Sequence, residues 1–234
     1  MQRILQNFNR LILNQIHNKD CRKVKYDKDD LIITDPPYNI DYSYLEYKDK
    51  MTELEYYKLF KIFKDKRCVF IHYPEETIKY IVSALGVPNK VVSWIYNSNT
   101  KKQHRMISWF NCKPDFSKVK QPYKNINDKR IIKRIAEGHD GADLYDWWNI
   151  DLVKNTSSQK TEYTNQIPEE VISRIIKTTA NKKDTIVDPF SGSGTTCVVA
   201  QKLGYNWKGY DVSSKAVEIA NKRLQPLLNN LFKQ

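Results

Sequence analysis

The sequence predicts an α/β protein: a doubly wound, mostly parallel sheet with helices on both faces and a small inserted region. Three observations predict it. Short β-branched and aromatic runs are apolar throughout, as strands covered on both faces are. Stretches with apolar residues at helical spacing separate those runs. Two of the strands lead directly into Pro-rich or Gly-rich turns that carry an acid. At 234 residues and 40% hydrophobic content, the chain can bury one main core.

The elements follow in order. Leu31-Ile-Ile-Thr34 and Cys68-Val-Phe-Ile-His-Tyr73 are of strand length, with a helical pattern over 52–63 between them. The stretch 75–85 puts Ile78, Ile81, Val82 and Leu85 on one helical face, and 91–96 reads as another strand. From 97 to 146 the alternation dissolves. It resumes where Pro168 is placed for a first helical turn and Val171, Ile172, Ile175 and Ile176 form a stripe. Thr185-Ile-Val187 is a strand, followed by a Gly-rich turn and a helix. Trp207-Lys-Gly-Tyr-Asp211 is a strand ending in an acid, and Ser213 can cap a helix carrying Ala216, Val217, Ala220 and Leu224. Pro226 is expected to limit or kink that helix.

Charge narrows the function. Lys and Arg total 39 against 27 Asp and Glu, a net charge of +12, which points to an anionic partner, nucleic acid before membrane. Residues 101–134 hold eleven Lys and Arg against Asp115 and Asp128, with Trp109, Phe116 and Tyr123 interleaved. That clustering favours a partner-binding face over a merely solvated one. No apolar run is long enough to span a bilayer, and residues 1–13 carry no continuous apolar targeting segment, so a cytoplasmic protein is expected. Cys21, Cys68, Cys112 and Cys197 are isolated from one another and from His at ligand spacing, so no metal site is expected.

Two motifs carry chemistry. In Asp188-Pro-Phe-Ser-Gly-Ser-Gly-Thr-Thr196, Gly192 and Gly194 allow a sharp turn and close backbone approach to a ligand, while the next helix offers free N–H donors. Cys197 stands where a dinucleotide fingerprint has its third glycine, and no Gly-Lys-Ser/Thr ending makes a phosphate loop. Asp211, at the end of the following strand, is placed to accept from ribose hydroxyls. The bland alternative is a left-handed turn with a capping acid. In Asp35-Pro-Pro-Tyr38, the prolines remove two donors, so neighbouring carbonyls must find partners elsewhere. A carboxylate, an outward carbonyl and an aromatic ring suit a planar base bearing an exocyclic amine, with Tyr38 stacking on the ring. Alone, the tetrapeptide reads as a strand-ending turn. Both motifs belong at the carboxyl ends of strands in one parallel sheet, which suggests group transfer to a nucleic-acid base.

These residues resemble the DNA amino-methyltransferases that use S-adenosylmethionine. Asp35-Pro-Pro-Tyr38 resembles their catalytic motif in its adenine form, and 188–196 resembles their cofactor loop; the catalytic motif comes first, as in the permuted β class. Asp20, before Cys21, resembles the family's acid near the adenosine moiety, and 147–154 and 160–174 resemble the stretch leading into a cofactor-side helix.

The resemblance implies a Rossmann-like core with a catalytic half at 1–97, a basic target-recognition insertion at 98–146 and a cofactor half at 147–234. It implies that Asp35, Pro36, Pro37 and Tyr38 are catalytic. Asp20, Asp188, Pro189, Phe190, Ser191, Gly192, Ser193, Gly194, Thr195, Thr196 and Asp211 would hold S-adenosylmethionine. Lys101, Lys102, His104, Arg105, Lys113, Lys118, Lys120 and Lys124 would meet DNA. The implied reaction methylates the N6 amine of a flipped adenine in double-stranded DNA, with cytosine N4 and an inactive DNA-binding subunit as alternatives. A companion restriction endonuclease and a homodimer fit the same resemblance. In Tyr163-Thr-Asn-Gln-Ile-Pro168, Ile167 replaces the family's usual Lys, which weakens a contact to the methionine end of the cofactor or passes it to backbone. His72 is expected to line the core or crevice rather than act as a base.

Overall fold

Asp30–Thr34 (β2) and Cys68–His72 (β3) are buried at every position, and their alternate residues feed two separate cores. Leu31, Ile33, Val69 and Ile71 face one core; Ile32, Cys68 and Phe70 face the other. The computed structural model describes residues 13–98 and 101–231. The expectation about a targeting segment at 1–13 falls almost wholly outside them. The remaining strands are β1 (Gln15–Asn18), β4 (Lys90–Ile95), β5 (His104–Phe110), β6 (Lys120–Gln121), β7 (Ala142–Asp143), β8 (Trp147–Asn149), β9 (Thr185–Asp188) and β10 (Asn206–Asp211). Eight of them form one sheet in the order β1-β10-β9-β2-β3-β5-β4-β8, while β6 and β7 pair as a separate ribbon. All neighbours in the large sheet run parallel except β5, which is antiparallel to β3 and β4.

Helices cover both faces. On one side lie α1 (Glu53–Lys61), begun by a reciprocal Thr52–Glu55 capping box, and α2, which runs through Pro74–Glu76, a π-helical stretch Thr77–Val82 and Ser83–Leu85. α3 (Lys129–Ala136) lies apart from both cores, with no buried residue. On the other side lie α4 (Glu169–Thr179), α5 (Thr195–Lys202) and α6 (Ser214–Leu231). Ser213 caps α6 by accepting from the Ala216 N–H at 3.1 Å. No helix among the described residues is long and apolar enough to cross a membrane.

Two expectations need correction. The inserted region does not begin at 98, because β5 sits inside the sheet between β3 and β4 and its Trp109 is fully buried. The stretch that lies outside the large sheet starts after Phe110. The face carrying Arg105, Ile107 and Trp109 follows the period of two that a strand imposes, but its leading Arg and the polar Ser108 break up the apolar run. Nor does Pro226 end its helix: α6 continues to Leu231. Pro226 lies on the exposed side, where water can take the carbonyl left without an N–H partner.

Candidate active site

Adjacent parallel strands bring the two motifs together. β2 and β9 pair in register, Ile32 opposite Val187, so Asp35 and Asp188 leave the sheet at the same edge. Thr34 Oγ1 donates to Asp188 Oδ1 at 2.6 Å across 154 residues of sequence. A cavity of about 50 Å³ is lined jointly by Asp35, Asp188, Gly192, Tyr44, Tyr163 and Ile167. A second, of about 210 Å³, is lined by Asp20, Arg22, Pro37, Tyr47, Asp211 and Val212, and Phe190 borders both.

The Asp-Pro-Pro-Tyr turn is closed on itself. The Tyr38 hydroxyl donates to Asp35 Oδ1. Its ring lies 4.4 Å from His72 and 4.7 Å from Tyr73, centroid to centroid, with only 8% of the residue exposed. The ring expected to stack on a base is thus packed against the protein's own aromatics. The Pro37 carbonyl accepts from Tyr56 Oη at 2.7 Å, whereas among the described residues the Pro36 carbonyl accepts no hydrogen bond. Burial raises the Asp35 pKa to about 6, against the opposing pull of Arg105 and the Tyr38 hydroxyl. His72 is fully buried, with Nε2 2.7 Å from Tyr56 Oη, and burial lowers its pKa to about 3. It is a neutral wall of the crevice.

Arg105 is a correction. Expected on DNA phosphate, it is 5% exposed, with Nη1 3.3 Å from Asp35 Oδ2. Its guanidinium carbon lies 5.3 Å from the Tyr38 and Trp94 ring centroids, 5.7 Å from Tyr73 and 5.9 Å from Tyr96. The cause is the antiparallel direction of β5, which places its second residue at the edge where the parallel strands end, opposite Trp94.

The glycines of the 188–196 turn meet real steric demands. Gly192 (φ +47°) and Gly194 (φ +77°) are left-handed, and Gly194 precedes the first turn of α5. A Cβ at Gly192 would lie 2.9 Å from the Tyr163 ring, and one at Gly194 2.8 Å from the Ala220 Cβ. Asp211 holds the loop: Oδ2 accepts from the Gly192 N–H at 2.8 Å and Oδ1 from the Ser213 N–H at 2.9 Å. Each oxygen keeps a lone pair, so Asp211 can also accept from a ribose in the larger cavity. Burial pushes its pKa up, and that of Asp188 to about 6.

Asp188 serves as a knot, accepting from Thr34 and from the Phe190 N–H at 3.1 Å. Asp20 lines the larger cavity and is held below the usual carboxylate range by its hydrogen bonds from Arg22. Ser193 and Thr195 line the smaller cavity; Arg223 Nη1 donates to the Ser193 carbonyl at 3.2 Å and to Thr195 Oγ1 at 2.8 Å. Buried Ser191 Oγ has no partner among the described residues.

The sequence reading missed the segment 39–51, which crosses the site. Tyr44 and Tyr47 stack at 5.0 Å, and Glu46 accepts from Ser213 Oγ at 2.7 Å, Ser214 Oγ at 3.0 Å and the Lys215 N–H at 3.1 Å. Three tyrosines within six residues, directly after the Pro-Pro turn, were the available signal.

The basic residues divide. Lys101, His104, Lys113, Lys118, Lys120 and Lys124 are exposed, but Lys120 pairs with Asp143 at 2.5 Å. Lys102 pairs with Glu76 at 3.3 Å and lies over the Tyr73 ring at 4.1 Å. Lys124 lies 4.2 Å from the exposed Trp147 ring. Trp109, expected among these surface groups, donates instead to Thr179 Oγ1 at 2.8 Å within the core.

Known proteins resemble this chain in sequence and fold. The chain is 27% identical to the type II methyltransferase M.BglII of Bacillus subtilis, over 94% of its own length and 72% of the relative's. By structure it is similar to an M1.HpyAVI–SAM complex, with a TM-score of 0.61 and 21% identity over 90% of this chain and 98% of the other. It is also similar to the PvuII DNA methyltransferase, described as cytosine-N4-specific, with a TM-score of 0.64 and 13% identity over 92% and 89%. Both structural likenesses establish a shared α/β Rossmann-like fold. The DNA methylase family of N6 and N4 enzymes matches residues 30–222, a span that contains both motifs and the sheet edge where they meet, and the chain belongs to that family.

Proposed function

We propose that this DNA methylase, of the β-class motif order, transfers a methyl group from S-adenosylmethionine to the exocyclic N6 amine of an adenine flipped out of double-stranded DNA. The observation that carries the reading is the single cavity lined by Asp35 and the Gly192 turn. The residues present fit the cofactor. The two acids Asp20 and Asp211 in the larger cavity suit ribose and adenine donors, and Ser191, whose buried Oγ has no partner among the described residues, lines the smaller one. When bound, S-adenosylmethionine supplies an electrophilic methyl group on a sulfonium centre.

The protein's task is to make a poor nucleophile competent. An adenine amine delocalises its lone pair into the ring. Asp35 Oδ1 and the Pro36 carbonyl, which accepts no hydrogen bond among the described residues, accept its two hydrogens and favour a tetrahedral nitrogen. As positive charge develops on that nitrogen, the Asp35 carboxylate stabilises the transition state more than the ground state. The Tyr38 hydroxyl, which now occupies Oδ1, gives way to the amine and frees its ring for the base. Extruding the base costs a few kcal/mol, offset in part by such stacking. His72 is neutral, and the extra proton on the methylated nitrogen, a far stronger acid than any carboxyl, passes to Asp35 or to water.

Cytosine N4 is the second reading, supported by the likeness to the PvuII enzyme. One experiment separates them: incubation with labelled S-adenosylmethionine and unmethylated DNA, digestion to nucleosides, and mass spectrometry. N6-methyldeoxyadenosine is expected, and Asp35→Ala should abolish it while cofactor binding persists. N4-methyldeoxycytidine would replace the adenine reading. No methylated nucleoside from a protein that binds the cofactor would leave an inactive subunit. Double-stranded DNA as partner and a cytoplasmic location belong to this same reading.

A further inference from the structure

We propose that Arg105 is a positioning residue for this reaction: it pins Asp35 Oδ2, supplies its countercharge, and leaves Oδ1 aimed at the substrate amine. The inference rests on the reading of Asp35 as the amine acceptor. Its support is geometric. Arg105 Nη1 reaches Oδ2 at 3.3 Å, and Oδ1 is held separately by the Tyr38 hydroxyl, so the two oxygens have different partners from different elements. The guanidinium is walled by Tyr38, Tyr73, Trp94 and Tyr96, and its Nε is buried without a partner among the described residues. A buried arginine with an unmet donor is costly to keep for packing alone. What it gains is a charge beside a carboxylate that would otherwise protonate.

The other groups facing Asp35 cannot replace it. His72 on β3 is neutral, because burial lowers its pKa to about 3. Asp188 on β9 is itself an acid, raised to about 6 by burial. Tyr38 on the same turn, Tyr44 on the crossing segment, Tyr56 on α1 and Tyr163 before α4 are phenols that burial pushes above their usual range, so they stay uncharged. Arg105 alone among these brings positive charge.

The sign follows: an arginine beside the carboxylate favours its ionised form, and removing it raises the Asp35 pKa. The test compares wild type, Arg105→Met and Arg105→Lys. Methyl transfer to unmethylated DNA is measured against pH, and the Asp35 carboxyl carbon is titrated by NMR without DNA or cofactor. In Arg105→Met the acid limb of kcat/KM and the Asp35 titration should both move up by about 1–3 pH units. Cofactor affinity should hold, and Arg105→Lys, whose shorter head lacks the planar fork that stacks on these rings, should recover only part of the shift. A folded Arg105→Met protein whose acid limb and Asp35 titration coincide with wild type would overturn the proposal. If that variant does not fold, Arg105→Gln, which keeps a polar head in the aromatic cage, takes the same readout. Wild-type protein that methylates nothing would sink the functional reading instead, while the NMR titration would still decide the Arg105–Asp35 coupling.

Discussion

Gly192→Ala is the sharpest probe of the cofactor loop, because two independent costs fall on one added methyl. At φ +47° an alanine pays the left-handed penalty of about 1–2 kcal/mol. Its Cβ would stand 2.9 Å from two Tyr163 ring carbons, well inside contact distance, and such overpacking costs about 1–3 kcal/mol. The loop cannot simply back away, since the Gly192 N–H is tied to Asp211 Oδ2 at 2.8 Å. Relief requires either swinging Tyr163 out of the smaller cavity or breaking that hydrogen bond. If about 1.4–2.8 kcal/mol of the strain is felt in the bound state, S-adenosylmethionine binds roughly 10–100-fold more weakly.

Isothermal titration of wild type, Gly192→Ala, Tyr163→Ala and the double variant measures this, with thermal melts to confirm folding. The double variant should lose less affinity than the two single losses combined, because removing the ring relieves the steric part. A folded Gly192→Ala protein binding within twofold of wild type, or strictly additive losses, would refute the steric account.

Two further outcomes are expected. Replacing Lys113, Lys118 and Lys124 together with Ala should weaken DNA binding and reduce the slope of log affinity against log salt by about 2–3. These side chains are exposed; a slope matching wild type in a salt titration by fluorescence anisotropy would move the DNA face elsewhere. Arg67→Ala should destabilise the protein by about 1–3 kcal/mol, because it strips a two-pronged pair, 2.8 and 2.9 Å, from Asp184, whose side chain is 6% exposed. Calorimetry should show a melting temperature lower by about 3–10 °C, and an unchanged one would make the pair energetically idle.

Much of the site is legible in the residues themselves. Leu31-Ile-Ile-Thr34 and Thr185-Ile-Val187 are strands because they are apolar runs of strand length. Their following turns meet because parallel neighbours end at one edge. Arg105 escaped because a lysine-rich stretch hides a single inward strand position. The period of two that marks it spans only Arg105, Ile107 and Trp109, and the direction of β5 is set by pairing partners far away in sequence. The segment 39–51 escaped for a related reason: it has no regular period, and Glu46 becomes meaningful only once the start of α6 is beside it. Acids adjoining the glycine turn were legible as a group. How they divide, with Asp188 knotting two strands and Asp211 tethering the turn, depends on which backbone N–H each one meets.

The Thr34–Asp188 hydrogen bond also bears on how the enzyme comes into being. Its two partners are translated 154 residues apart, so the crevice is absent from a nascent chain until the last third has left the ribosome and docked. Closing so long a loop is entropically slow, and little of the site's chemistry can exist in any partial structure. During refolding, methylating capacity should therefore return with the slowest phase rather than with the first helices. A half-made enzyme would neither sequester cofactor nor mark DNA.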